Sequence, residues 1–149
     1  MLILFCSDPI ETRQVDECFA DQATTAMDAG AETGLIHLEA LVNDKSPTIA
    51  VREIAASSPS AAIYRGWMVT PPQYADLHTA LRDKGITLIN SPEQYRHCHW
   101  LPECYDDIAA HSAKTVWLPK ESGLAFDLVM EALRPFAGQP VILKDFVKS

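Results

Sequence analysis

The segment Leu2-Ile-Leu-Phe-Cys6 is apolar at every position and runs straight into Ser7-Asp8-Pro9. A strand with one wet face alternates apolar and polar residues, whereas an unbroken apolar run suits a strand covered on both faces, as in a parallel sheet. Pro9 then closes the run on a turn. The same logic carries outward. Residues 13 to 29 hold Val15, Phe19, Ala23 and Ala26 at helical spacing, with Gly30 placed as a carboxyl-terminal cap. Gly34-Leu-Ile-His-Leu38 is the second expected strand, with Glu39 beyond it.

Further along, Asn43 to Pro47 is a turn signal, and Ile49 to Ile54 is compatible with a strand or a short helix. Ala61-Ala-Ile-Tyr64 forms a third strand leading into Arg65-Gly66-Trp67-Met68. Thr70 precedes Pro71 and Pro72 as an N-cap before a proline-started helix, along which Tyr74, Leu77 and Leu81 repeat on one face up to Gly85. Ile86-Thr-Leu-Ile89 is a fourth strand, and Asn90-Ser91-Pro92 opens a helix through Cys98. Leu101 to Ala110 is expected to be helical, Thr115 to Leu118 extended, and a capped helix runs from Ser122 with Ala125, Leu128, Val129, Ala132 and Leu133 on one face.

Four short buried strands separated by helices predict an α/β, Rossmann-like, mostly parallel sheet with helices on both faces. Ligands in such sheets bind beyond the carboxyl ends of the strands. On these boundaries the edge residues are Asp8, Glu39, Arg65 with Gly66, and Asn90 with Ser91. A glycine-rich dinucleotide site is disfavoured, because Ser7-Asp8-Pro9 stands where a G-x-G-x-x-G turn would admit a pyrophosphate.

Composition narrows the partners. The 149 residues are 48% apolar and 21% charged, ordinary for a globular protein with a real core, and the formal charge of -8 opposes attraction to nucleic acid or to an anionic membrane surface. The opening apolar run is too short for a signal peptide or a membrane span, so a cytoplasmic location is expected. Four scattered cysteines read as reduced thiols rather than as a disulfide framework. No metal site is expected: consecutive side chains in His97-Cys98-His99 point about 100° apart on a helix and do not converge on one ion.

The last ten residues, Pro140-Val-Ile-Leu-Lys-Asp-Phe-Val-Lys-Ser149, read as a strand emerging from a turn with Lys144 inside it. An ammonium in an apolar strand has to reach water, a carboxylate or an anionic ligand. This stretch resembles the first nucleotide-binding strand of the ATP-grasp ligases, a hydrophobic strand ending in a lysine that touches the ATP phosphates. The order of elements resembles that superfamily too: Ile89-Asn90-Ser91-Pro92, then Arg96-His97-Cys98-His99, then Lys114 to Pro119, then a helix, then Pro140 to Lys144. Arg65 to Met68 and Tyr95 to His99 look like an uncharacterised ATP-grasp subgroup.

The resemblance implies a pre-ATP-grasp domain over 1–112 and the start of an ATP-grasp domain over 113–149. It implies an ATP-dependent carboxylate–amine or carboxylate–thiol ligase acting through an acylphosphate, with ATP and magnesium as cofactors. Lys144, with Lys148, would face the nucleotide, and Arg65, Asn90, Arg96 and Asp8 would line the cleft for a small-molecule carboxylate. The front half of the superfamily fold alone would be inactive, with no catalytic residue in this chain. A non-catalytic Rossmann-like binding or interaction module is the alternative. Arg65 suits a substrate carboxylate or phosphate bidentately, or else an ion pair with Asp8, Glu39 or another acid of this chain. An open-edged strand over Val141 to Val147 would favour a homo-oligomer or a swapped tail.

Overall fold

The computed structural model describes residues 1–55, 60–118, 125–136 and 138–144. The chain divides into two compact units, Met1–Arg96 and His97–Ser149. The division expected at 112/113 falls inside the second of these.

The first unit is α/β. Strands β1 (Leu2–Cys6), β2 (Glu32–Ile36), β3 (Ser60–Tyr64) and β4 (Ile86–Leu88) form one four-stranded sheet in the order β2-β1-β3-β4. All three pairings are parallel, with Leu4 opposite Gly34 on one side and Tyr64 on the other. A Rossmann-like arrangement follows from this order.

Helices lie on both faces, and the alternation of β1 says which. Leu2 and Leu4 enter a cluster with Leu41 from α2 (Leu38–Val42), Ala50 from α3 (Pro47–Ala50) and Tyr74, Leu77 and Leu81 from α4 (Pro71–Arg82). Phe5, with Ile3, enters the opposite cluster with Phe19 and with Ala23 of α1 (Ala20–Asp28). Leu4, Leu77, Leu81 and Ile86 are fully buried, so truncating any of them to alanine costs about 2–5 kcal/mol.

Several boundaries differ from the sequence reading, each for a local reason. The helix expected from residue 13 begins later, because Ser7 bridges to Val15 and Asp16 caps a 3-10 turn at Glu17–Phe19. Strand β2 ends at Ile36 and not at Leu38, since the His37 amide turns away to the Ala50 carbonyl at 3.0 Å and Leu38 starts α2. The ambiguous segment after Asn43 forms the single turn α3. Gly30 and Gly85 stand at φ +80, the left-handed conformation that ends α1 and α4.

The second unit contains the last residues of α5 (Pro92–His99), then α6 (Leu101–Ile108) and α7 (Phe126–Leu133), with 3-10 turns at Ala109–His111 and Arg134–Phe136. None of its described residues is buried. Residues 113–118 are not in a strand, although Tyr105 packs edge-on against Trp117 with ring centroids 5.4 Å apart. The strand expected over Val141 to Val147 does not form in its described part: Val141 to Lys144 have no sheet partner, and Ile142 and Leu143 are 92% and 96% exposed. An isolated apolar strand has no ladder to satisfy its backbone, which is why three apolar residues alone do not hold one. Residues 145–149 lie outside the described residues. No helix among the described residues is long and apolar enough to cross a membrane.

Candidate functional site at the carboxyl edge of the sheet

In the order β2-β1-β3-β4, β1 is followed in sequence by its neighbour on one side and β3 lies on the other. The switch point is therefore the gap beyond Cys6 and Tyr64. The first residues beyond the four strands are Ser7, His37, Arg65 and Ile89.

Arg65 is held by its backbone and leaves its charge outward. Its amide donates to the Leu4 carbonyl at 2.7 Å, and its exposed guanidinium lies 5.4 Å from the centre of the Phe19 ring. It forms no ion pair with any described carboxylate, so the pairing with Asp8 or Glu39 allowed by the sequence does not occur. Gly66 follows because nothing larger fits. A Cβ there would stand 2.5 Å from Cys6 Sγ and 2.8 Å from the Tyr64 ring.

Beneath Gly66 a short polar chain runs inward. The Tyr64 hydroxyl donates to the Trp67 carbonyl at 2.7 Å, which uses its only proton, so the Cys6 thiol at 3.5 Å is the donor to the phenolic oxygen. Burial pushes the Cys6 thiol up, which keeps it protonated and inert as a nucleophile. Burial likewise raises the Tyr64 hydroxyl.

Above it, the loop after β3 is tied to the loop after β1. Trp67 Nε1 donates to Asp16 Oδ2 at 2.8 Å, and the indole packs edge-on against Phe19 at 5.4 Å. The indole bond holds the Asp16 carboxyl below its ordinary value. Two more contacts brace the far side. The Tyr95 hydroxyl donates to the Val69 carbonyl at 2.8 Å and accepts from the Val69 amide at 3.2 Å, while Tyr74, stacked on Tyr95 at 3.9 Å, donates to the Asn90 carbonyl at 3.0 Å. Burial pushes the Tyr74 hydroxyl up to about 12.

Several backbone donors of the kind that cradle phosphates in other Rossmann-like sheets are already used after β1 and at the start of α4. Asp8 Oδ1 accepts from the Ile10 and Glu11 amides, both at 2.8 Å, and Asp16 Oδ1 accepts from the Cys18 amide at 2.9 Å. Helix α4 starts on Pro71 and Pro72, which have no amide proton, and the Thr70 amide donates to Gln73 Oε1 at 2.8 Å. With these donors committed, the exposed Arg65 side chain is the cation beside them.

The expected residues are distributed unevenly. Asp8, Arg65 and Asn90 all follow strands of one sheet. Asp8 spends its Oδ1 on its own loop, Asn90 is exposed with its carbonyl taken by Tyr74, and Arg96 is exposed a turn along α5 from Glu93, whose carboxyl it helps to lower after Glu93's own amide and the Ser91 hydroxyl. Glu39 is not at the end of β2; His37 is. Lys144 belongs to the second unit and is exposed outside any strand, and Lys148 lies outside the described residues.

His37 is the residue sequence reasoning passed over. It is buried at 6% exposure, with Nδ1 3.5 Å from the Ser7 hydroxyl and Nε2 3.6 Å from a Glu53 carboxylate oxygen, too long for a hydrogen bond. A serine, a histidine and an acid in that order resemble a nucleophilic relay, but Ser7 is itself only 2% exposed and closed to substrate. A single polar residue ending a buried strand is the signal that both share. Among the described residues, no group of three or more His, Cys, Asp or Glu side chains could hold a metal ion.

No protein-family model, no curated protein and no solved structure matches this chain.

Proposed function

We propose that this chain is the amino-terminal portion of an ATP-grasp protein, whose Rossmann-like unit binds a small carboxylate beyond the switch point of the sheet. One observation carries the reading. Arg65 stands at the carboxyl end of a central parallel strand, backed by the Phe19 ring and forming no ion pair with a described carboxylate, beside the β1 loop, in which the Ile10, Glu11 and Cys18 amides are committed to Asp8 and Asp16. A planar guanidinium able to make two parallel hydrogen bonds suits a carboxylate or a phosphate, and the carboxylate is the group that the ligase reading places here. Asn90, at the end of the neighbouring strand β4, adds an amide donor and acceptor.

On this reading ATP and magnesium belong to later parts of the superfamily fold, and Lys144, with Lys148, faces the nucleotide. The ligase reaction supplies the second half: a carboxylate held by Arg65 is phosphorylated and then attacked by an amine or thiol. A second reading, a binding module without catalysis, is favoured by Val141 to Lys144 lying outside any strand.

Calorimetric titration separates the two. Both readings expect a small carboxylate to bind and Arg65→Ala to weaken it about 10–100-fold, the worth of a bidentate charge-assisted pair. Binding of Mg-ATP that weakens in Lys144→Ala supports the ligase reading. Carboxylate binding with no response to Mg-ATP, both for this chain and after the later parts of an ATP-grasp fold are appended to it, supports the module. No carboxylate binding at all overturns both.

A further inference from the structure

Trp67 stands partly out of the surface and is nonetheless held in place. The residue is 45% exposed, although its indole Nε1 is committed to Asp16 Oδ2 at 2.8 Å and its ring meets the Phe19 ring edge-on. With its one donor used, the indole offers solvent only apolar surface. A ring already fixed by a hydrogen bond and a packing contact has little rotamer freedom left to lose when something stacks on it.

The same Phe19 ring carries Arg65. The guanidinium carbon lies 5.4 Å from the ring centre, as does the Trp67 ring centre, and Phe19 is left only 6% exposed. A cation that forms no ion pair with a described carboxylate and a fixed apolar plane are thus neighbours over one buried ring. Exposed Met68 continues the Trp67 loop, and exposed Ile10 and Ile89 follow β1 and β4 at the same edge of the sheet.

We propose that Trp67 is a specificity-determining residue of the site at Arg65, and that the ligand is an aryl carboxylate whose acid pairs with Arg65 while its ring packs on the indole. The inference rests on the carboxylate reading of Arg65 and adds the character of the rest of the molecule. One small ligand is the occupant because Phe19 holds the cation and the plane side by side, within reach of a flat ring with an acid a few bonds away. A short aliphatic acid leaves the indole wet, and a neutral aromatic leaves the guanidinium unmatched.

Calorimetric titration of the whole chain with 3-phenylpropionate and with propionate tests the inference, since the two share an acid and differ by a ring. The phenyl acid should bind about tenfold tighter. Trp67→Ala should collapse that ratio towards one, whereas Arg65→Ala should weaken both acids and keep the ratio. A second measurement leaves the site intact: with Trp100→Phe and Trp117→Phe in place, 3-phenylpropionate should change the Trp67 emission saturably and propionate should not. Equal affinity for the two acids, or a preference that survives Trp67→Ala with the Trp67 emission unmoved, overturns the inference and leaves the Arg65 site standing. So does a Trp67 emission that follows protein concentration and not ligand, which would show a second copy covering the indole. Binding of neither acid removes the Arg65 reading itself, and this inference with it.

Discussion

Trp67 Nε1 donates to Asp16 Oδ2 across 2.8 Å, joining two loops that are 51 residues apart in sequence and that flank the switch point of the sheet. The bond fixes where Arg65 is presented, because Trp67 and Arg65 share a loop and both rest on Phe19. Removing the donor with Trp67→Phe should cost about 1 kcal/mol, measured by urea unfolding. The Asp16 carboxyl is held below its ordinary 3.8, first by the indole bond. A group with a depressed folded value stabilises above its unfolded value and loses that contribution as pH falls through the folded one. The gap between wild type and Trp67→Phe should therefore be full well above 3.8 and narrow as pH falls below it, and a gap that widens on acidification would contradict this.

Gly66→Ala should destabilise the first unit by about 1–3 kcal/mol, the usual range for overpacking. The added methyl meets Cys6 Sγ at 2.5 Å and the Tyr64 ring at 2.8 Å. Cys6→Ala should relieve part of that cost in the double variant, leaving the Tyr64 clash. Thermal unfolding of the four proteins gives the coupling directly, and strict additivity would show the close approach to be absent.

Tyr95→Phe should cost about 1–3 kcal/mol, because Val69, 3% exposed, would lose the partner of both its amide and its carbonyl. Tyr74→Phe removes a single bond to Asn90 and should cost about 1 kcal/mol. Hydrogen exchange at the Val69 amide distinguishes the two, accelerating in Tyr95→Phe and staying slow in Tyr74→Phe.

A thiol reagent should separate the cysteines by exposure. Cys18 and Cys98 are exposed, whereas Cys6 is fully buried with its thiol pushed up by burial. Labelling read by mass spectrometry should modify Cys98 and Cys18 in the folded protein and Cys6 only on unfolding. Fast labelling of Cys6 would mean that the floor of the site is open.

Much of the fold was legible because it rests on local signals. The unbroken run Leu2 to Cys6 announced a doubly covered strand, and Thr70 as an N-cap before Pro71 and Pro72 announced a helix start that the structure places at Pro71. The end of β2 was not legible, because Leu38 continues the apolar pattern and only a long-range bond from the His37 amide to Ala50 stops the strand. The same slip hid His37 behind Glu39. At the site, Arg65 and Asn90 could be placed from strand ends, but the bond from Trp67 to Asp16 depends on tertiary approach that no spacing encodes. The carboxyl-terminal segment misled in the other direction: Val141-Ile-Leu143 has strand composition, but composition does not supply a partner strand.

The central claim is that Arg65 organises a small-carboxylate site at the carboxyl edge of the sheet, and amide NMR during titration with a panel of small carboxylates tests it most directly. The account predicts saturable shifts grouped at Ser7, Arg65, Gly66 and Asn90 that vanish in Arg65→Ala while the sheet amides stay in place. Shifts scattered over the chain, or a grouped response that survives Arg65→Ala, would contradict it.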